Sequence, residues 1–538
     1  MLLRGIFLPV AIFICLTACH NNKANKAQIE TSPNKNFLQI SIPAEVVSLD
    51  PSIGVDAPSI YITRMLFEGL MLTGRDGKIR PALAKSYEIS DDLLTYTFQL
   101  KPTYWSNGEF VTAHDFAYSW KKIINPEKPT LGAENFYPIK NARAISRGKK
   151  GIDSVGIRVL DNFTLQVELE HPTPYFLETL SSPSFFPVYE QLDKQNPNWF
   201  LSEGSDFVCN GPYTLQKHRL ENEMIVVKNP SYWNAKSVTM PGIRIGIIKD
   251  TMTQLTLFEK GELDWLGNPL SKIPLDAMQY LKKNNKLLSF QSLGVYFYYL
   301  NTESFPFTNK KIRQAFSYGI DRGKLVEHVL QGEETPATSV LPYSLACNTT
   351  PYFLDNDSKR ARQLFHEALD ELGITPKDLP AITINYPSLL VRQRIAEVLQ
   401  SQWNTLFGIK IHLQHQEWKS HFAKIQTGNF QIGGVGWQSK LRDPIYIMQT
   451  FRDKDGGINM SRWENEDYQR LLAATEQEIN PLKRKQLFNQ AEQILMDEMP
   501  AIPLYFTTIV YAKSDRLKGV YVSDLHEVDF RWSYFEEK

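Results

Sequence analysis

The strictest constraint on the fold is a hydrophobic period that switches repeatedly between residues 361 and 436. Ala361, Leu364, Phe365, Ala368, Leu369 and Leu372 follow a helical stripe, and Gly373 can end that helix. Residues 381–386 then read as a strand that Pro387 stops, and Ser388 can cap a helix running to about Phe407, where Gly408 ends it. Ile409, Ile411 and Leu413 alternate with Lys410, His412 and Gln414, the period of a strand. A short helix over 419–426 leads into a further strand over 430–436. Strands alternating with helices predict a parallel or mixed sheet covered by helices, and so an α/β fold.

The earlier part of the chain has another style. In 92–100, Leu94, Tyr96, Phe98 and Leu100 alternate with Thr95, Thr97 and Gln99. In 155–169, two strands flank an Asp161-Asn162 turn, with Phe163, Leu165, Val167 and Leu169 on one face. The region near 80–185 is therefore expected to be rich in antiparallel strands.

At the start, Arg4 precedes an apolar run from Ile6 to Leu16, too short to span a bilayer and suited to a secretory signal peptide. Leu16-Thr17-Ala18-Cys19 resembles a bacterial lipobox, which implies cleavage after residue 18 and a lipid on Cys19. The stretch 20–36 is polar and cannot bury a core, so it reads as a flexible tether reaching roughly 20–25 Å. The remaining 520 residues of 538 are too many for one core, and two or three lobes are expected. Lys plus Arg and Asp plus Glu balance at 59 each, which argues against a nucleic-acid partner. Cys209 and Cys347 could form a disulfide in an oxidising compartment or remain two buried thiols.

In open α/β sheets, ligands bind beyond the carboxyl ends of strands. The sequence GGVGWQSKLRDP, residues 433–444, leaves one such end, and His415-Gln416-Glu417-Trp418 leaves the preceding one. Trp418 and Trp437 are thus placed at comparable heights on one sheet edge, as a ligand wall or as hydrophobic capping. No nucleophile elbow, zinc-helix motif or phosphate loop is present, and His412 and His415 would face opposite sides of a strand. Neither an enzyme nor a cofactor nor a metal site is expected.

The order of short motifs carries a resemblance. Ser48-Leu49-Asp50-Pro51, Leu66-Phe67-Glu68-Gly69-Leu70, Trp105-Ser106-Asn107-Gly108, Asn210-Gly211-Pro212-Tyr213, Asn229-Pro230-Ser231-Tyr232-Trp233-Asn234, Gly261-Glu262-Leu263-Asp264 and Phe307-Thr308-Asn309-Lys310-Lys311-Ile312-Arg313 follow one another between Ser48 and Tyr511. This pattern resembles the peptide-type (family 5) solute-binding proteins of bacterial ABC importers, particularly the periplasmic oligopeptide-binding, OppA-like members. The motif residues themselves read as structural, with Asn107-Gly108 and Asn210-Gly211-Pro212 as tight turns.

The resemblance implies a three-lobed periplasmic-binding-protein fold: two α/β lobes hinged around a ligand cleft, plus an extra strand-rich lobe. Lobe I would take 38–67, 187–293 and 506–538, lobe II 68–186 and lobe III 294–505. A signal peptide over 1–18 and a lipidated tether over 19–37 would precede them. The implied partners are an oligopeptide or peptide-like ligand and the permease subunits of an importer. The only membrane contact would be the N-terminal lipid, on the outer face of the cell membrane or in the periplasm, and the protein would be a monomer. Val55, Asp56 and Ala57 match one side of the ligand's backbone pairing, and Gly436, Trp437 and Gln438 the other. Phe297 and Tyr298 lie on the aromatic strand that opens lobe III; Trp418, placed by its sheet edge rather than by the resemblance, is a wall residue or a hydrophobic cap.

The opening of the loop departs from the family. The aspartate that receives a peptide's α-amino group is matched by Lys440, and only Asp443 lies near enough to substitute, if the loop is rearranged. The two cysteine positions match Gln438 and Gly294, and an arginine position matches Gly434. An ammonium beside Lys440 would be repelled, so the expected ligand is blocked or acidic at its amino end; the alternative is that Lys440 points to solvent and Asp443 or water receives the amine. A non-peptide ligand (an oligosaccharide or a metal complex), a surface chaperone and a hydrolase are the rival readings.

Overall fold

The computed structural model describes residues 36–537 apart from 55, 129, 131, 349, 456 and 457. The signal peptide, Cys19, most of the tether and Val55 lie outside the described residues. No helix among the described residues is long and apolar enough to cross a membrane.

Three larger sheets organise the chain. In the first, Leu38–Ile42 pairs in parallel with Gly242–Ile247, which continues antiparallel through Glu223–Lys228 to Tyr213–Arg219. The second is wholly antiparallel, in the order Ala84–Ile89, Thr95–Leu100, Thr164–Glu168, Ile157–Asp161. It contains the expected strands: Tyr96, Phe98, Leu100, Leu165 and Val167 are buried, and the turn falls between Asp161 and Thr164. One hydrophobic core serves both sheets.

The third sheet has seven strands. Its path runs Trp265–Gly267, Ala501–Lys513, Leu288–Leu300, Ile432–Gln438, Ile382–Pro387, Ile411–Gln416, with Thr335–Pro336 also on Ala501–Lys513. Ile432–Gln438, Ile382–Pro387 and Ile411–Gln416 are mutually parallel, and Leu288–Leu300 is antiparallel to both of its neighbours. A separate core lies on each face. Tyr296 and Tyr298 point into one, beneath the helices; Phe297 and Tyr299 point into the other.

The helices start and stop where the sequence chemistry directs. Ser358–Leu372 is capped by Asp357, which accepts from Arg360 N at 3.0 Å, buries Ala361, Leu364, Phe365, Ala368 and Leu369, and ends on Gly373 at φ 66°. Leu390–Phe407 ends on Gly408, also at φ 66°. Its start differs from expectation. Ser388 is not the cap; Leu389 takes that position without a side-chain bond, and the Ser388 hydroxyl lies 3.0 Å from His415 Nδ1.

Two further expectations are corrected, and one left open is decided. The strand expected at 430–436 spans Ile432–Gln438, so Trp437 is a strand residue rather than the first residue beyond it. Trp418 and Trp437 do not lie on adjacent strands, because Ile382–Pro387 intervenes. Cys209 and Cys347 are both free thiols. Cys209 sits in the core of the first two sheets and Cys347 against a core of the third, so their Sγ atoms belong to different hydrophobic units.

The family-like motifs converge on structure. The buried Glu68 carboxylate accepts from Tyr232 Oη at 3.0 Å and Trp233 Nε1 at 2.5 Å, and it pairs with Arg531. Asn210 clasps the Glu68 main chain with two bonds of 3.1 Å. Gly108 has φ 90°, as its turn requires. Gly211 does not have a positive φ; it is needed because a Cβ there would collide with the backbone at Leu66 and Phe67.

Candidate functional site

The strand Ile432–Gln438 outruns one neighbour. On the side of Ile382–Pro387 it pairs only through Ile432 with Ile384 and Gly433 with Asn385. On its other side the ladder with Leu288–Leu300 continues from Leu300↔Ile432 to Gly294↔Gln438. Past Gly433, therefore, one edge of this strand has no strand partner among the described residues. Gly434 O is taken by His421 Nε2 at 2.9 Å, while Gly436 is exposed. An unpaired edge beyond the carboxyl end of a parallel strand is a template for an added extended chain.

The residues around this edge have distinct jobs. Trp437 is half-buried, lies near Tyr446 (ring centroids 6.3 Å apart), and has a buried indole N–H without an acceptor. Trp418 opens the helix Trp418–Gln426 with 48% of its surface exposed, and Glu417 caps that helix by accepting from Lys419 N at 2.8 Å. Since His421 bonds a carbonyl through Nε2, that nitrogen carries the proton and Nδ1 is a buried acceptor without a partner. Burial holds the His421 pKa below its ordinary value.

Gln438 lies directly across from Gly294. Its carboxamide occupies the space over that glycine, where an added Cβ would collide with both Gln438 Oε1 and Thr507 Oγ1. The two positions that the resemblance equates with cysteines are therefore cross-strand neighbours, filled here by one long side chain over a bare Cα.

Lys440 is exposed, with no hydrogen bond or ion pair to the described residues. Asp443 is buried, and its carboxylate is held by both terminal nitrogens of Arg484, at 2.5 and 2.9 Å, and by Ile445 N at 3.0 Å. That bidentate pairing removes Asp443 as a receiver for a ligand ammonium, a correction to the expectation. Arg442, between them, meets Asp524 at 2.7 Å, and its main-chain N–H donates to Glu178 at 2.9 Å. Burial outweighs this bond and pushes the Glu178 carboxyl up to about 7.

Several other expected site residues have side chains engaged in the fold, which leaves a main-chain role for Asp56 and Ala57 open to a ligand. Asp56 caps the helix Ala57–Leu66, accepting from Ser59 N at 3.1 Å and from the Ser59 hydroxyl at 2.5 Å, so its side chain is committed. Ala57 is the first helical residue and is exposed. Phe297 is fully buried, edge-on to Phe451 at 5.8 Å, and belongs to the core rather than to a cleft wall. Tyr298 is fully buried too, but its hydroxyl has no partner.

Arg392 is missed by the sequence reasoning, as is His421. Arg392 lies in the first turn of Leu390–Phe407, 3.8 Å over the Tyr296 ring, and donates to Tyr505 Oη. Nothing in an amphipathic helix pattern distinguishes such an arginine from a solvated one. Among the described residues no cluster of His, Cys, Asp and Glu could hold a metal ion.

Comparison with known proteins agrees with this architecture. The family model described as bacterial extracellular solute-binding proteins, family 5, matches residues 78–459. The chain is 36% identical over 538 residues to the oligopeptide-binding protein OppA of Bacillus subtilis (strain 168), covering 99% of each chain. It superposes on the unliganded open form of the periplasmic murein tripeptide-binding protein MppA with TM-score 0.82 and 28% identity, covering 93% of this chain and 98% of that one. The Haemophilus influenzae OppA complex with the peptide RPPGFSPFR gives TM-score 0.74 and 25% identity, over 93% and 99%.

Proposed function

The chain belongs to the bacterial extracellular solute-binding proteins of family 5, and we propose that it captures oligopeptides or peptide-like ligands for an ABC importer. The observation that carries this reading is the open main-chain edge beyond Gly433. A ligand added there as a strand gains main-chain hydrogen bonds that do not depend on its side chains. Relatives named for oligopeptide and dipeptide binding support the same substrate class.

In this reading the three lobes are 38–67 with 187–293 and 506–538, then 68–186, then 294–505, and the first and third close on the ligand. Cys19 carries the lipid, residues 20–36 tether a monomer outside the cell membrane, and permease subunits receive the ligand. Lys440 sets the rule at the amino end. It takes a carboxylate or tolerates a blocked end, and no described carboxylate beside it is available for an ammonium, since Asp443 is held by Arg484.

The first test is native purification followed by mass spectrometry of whatever denaturation releases. Short peptides support the proposal; a sugar, a metal complex or an empty protein that binds no peptide from a random mixture overturns it. A second test concerns Lys440→Asp. This variant is expected to bind peptides with free amino ends at least tenfold more tightly than the parent does and to lose affinity for N-acetylated ones. Unchanged affinity for both kinds removes Lys440 from the site.

A further inference from the structure

We propose that Glu178 is a positioning residue for ligand capture: its carboxyl, holding a proton, fixes the loop that carries Lys440, so that capture of a peptide takes up a proton and weakens as the medium turns from acidic to neutral. The proposal rests on the peptide reading above and adds a condition under which that site forms.

The loop 439–443 is stitched down at three points. Ser439 N donates to Leu293 O at 2.8 Å. Arg442 N donates to Glu178 Oε1 at 2.9 Å. Asp443 is clasped by Arg484. Lys440 is exposed between the first two stitches, so its place follows theirs. The first stitch is main chain to main chain, and the third is a closed bidentate pair. The middle one depends on a carboxyl brought from the short helix Phe176–Thr179. The Arg442 guanidinium reaches Asp524 at 2.7 Å and Tyr521 Oη at 3.3 Å. Asp524 O in turn accepts from Leu293 N at 2.9 Å, on the strand that pairs with Ile432–Gln438. In the lobe division proposed above, Glu178, Arg442 and Asp524 come from three different lobes.

Charge balances at this junction only if one carboxyl is protonated. The side chains of Glu178, Glu527 and Asp524 are 14%, 17% and 25% exposed. Two guanidiniums face them: Arg442, and Arg64, which pairs with Glu527. Asp443, the next residue along, is already offset by Arg484. Three carboxylates against two cations leave one negative charge largely withdrawn from water, which is costly. Among the described residues no cluster could hold a metal ion, and the cavity bounded by Arg64, Tyr521 and Glu527 measures about 20 Å³, space for one water. A proton is the compensation that remains. Asp524 and Glu527 each pair closely with a guanidinium, whereas Glu178 lies 3.5 Å from Arg442 Nη1 and accepts a main-chain N–H, a bond that a neutral carboxyl also accepts. The other groups here stay neutral: burial raises the phenols of Tyr61, Tyr175 and Tyr521, and holds His526, in the turn between Tyr521–Val522 and Val528–Asp529, down to about 4.

The sign follows from comparing the loop in place with the loop released. In place, burial holds the Glu178 proton up to about pH 7; Asp443 and Glu527 push the same way, and Arg442 opposes them. Released, Glu178 is an exposed carboxyl with its ordinary pKa of 4.5. The placed loop is therefore favoured fully below pH 4.5, and the ratio of placed to released loop falls by up to about tenfold per pH unit until about pH 7. A ligand that needs Gly436 and Lys440 binds the placed loop, so its apparent affinity is reduced by the fraction released. Capture near neutral pH then draws a proton onto Glu178.

The test is calorimetric titration of the full mature chain from pH 5.5 to 7.5 with N-acetylated tetra-alanine and N-acetylated RPPGFSPFR, neither of which has a group that titrates in that range, beside a random hexapeptide mixture at pH 5.5. Parent affinity is expected to fall at least about fivefold across the range, and titrations at pH 7 in two buffers of different ionisation heat are expected to show proton uptake. Glu178→Gln keeps an acceptor for Arg442 N–H and has no proton to lose. It is expected to bind at every pH as tightly as the parent does at pH 5.5, without proton uptake. Glu527→Gln removes a neighbouring negative charge, is expected to make the fall smaller, and serves if the first variant does not fold. A parallel fall in the parent and in Glu178→Gln overturns the assignment to Glu178. So does an equal loss at every pH in both variants, which would mark them as packing groups. If peptides bind and pH makes no difference, this inference alone fails. If no peptide binds even at pH 5.5, the peptide reading falls and takes this inference with it.

Discussion

Arg531 is buried and tied to Glu68 and, at 2.8 Å, to Asp529, while Glu68 also receives Tyr232 and Trp233. Glu68, Asn210 and the Tyr232-Trp233 pair come from three separate motifs that the sequence reading treats as structural. Tyr232, Trp233 and Arg531 meet at the Glu68 carboxylate while Asn210 holds the Glu68 main chain, which gives a physical reason for that treatment. Removing one member leaves an opposite charge buried without compensation. Arg531→Met is therefore expected to lower unfolding free energy by about 3–5 kcal/mol in a denaturant titration, without altering which peptides bind. A change in ligand preference would show that the network reaches the cleft. Asp443 teaches the converse. Its position three residues after Lys440 suggested a role in binding, and only the folded chain brings Arg484 from 41 residues away to claim it.

At the scale of elements, the alternation between residues 361 and 436 was legible because apolar period and capping residues are local properties. Asp357, Gly373 and Gly408 act where their chemistry predicts. The Ser388 cap was not legible, because His415 on the next strand competes for its hydroxyl. Strand order was equally hidden. Ile382–Pro387 comes between Ile411–Gln416 and Ile432–Gln438, and this insertion creates an edge that ends before its neighbour does. Across the sheet, Gly294 and Gln438 form a fitted pair. Gly294→Ala is expected to cost about 1–3 kcal/mol by forcing Thr507 and Gln438 aside, measured by urea unfolding. An unchanged midpoint would mean that both side chains relax freely.

Across the whole molecule, Glu178 joins the region of the antiparallel sheet to the loop that follows Lys440. The Arg442 N–H donates to it at 2.9 Å, and Arg442 also reaches Asp524 near the C-terminus. Burial raises the Glu178 carboxyl from 4.5 to about 7. Its folded-state affinity for a proton exceeds that of the unfolded chain. The stability it contributes is thus fully present below pH 4.5 and is lost as pH rises through about 7. Glu492, raised to about 7 by burial against one core of the third sheet, acts in the same direction. Glu178→Gln is expected to flatten the decline of stability between pH 4.5 and 7 by up to about 3 kcal/mol, as followed by thermal unfolding at stepped pH. An unchanged slope would show that Arg442 keeps the carboxylate ionised throughout.

The residues alone determined the strand and helix periods, most helix ends, and the motif order that marks the family, because each depends on neighbours within a few positions. They also carried the resemblance that equates Lys440 with an aspartate position, an expectation rather than an observation. The tertiary structure decided what the site can offer. It left Lys440 without a partner among the described residues, bound Asp443 to Arg484, placed Gln438 over Gly294, and stacked Arg392 on Tyr296 at the start of a helix without a side-chain cap. Each of these depends on strand order and on which charges burial brings together. Those are properties of packing between distant segments, and no local pattern in the chain encodes them.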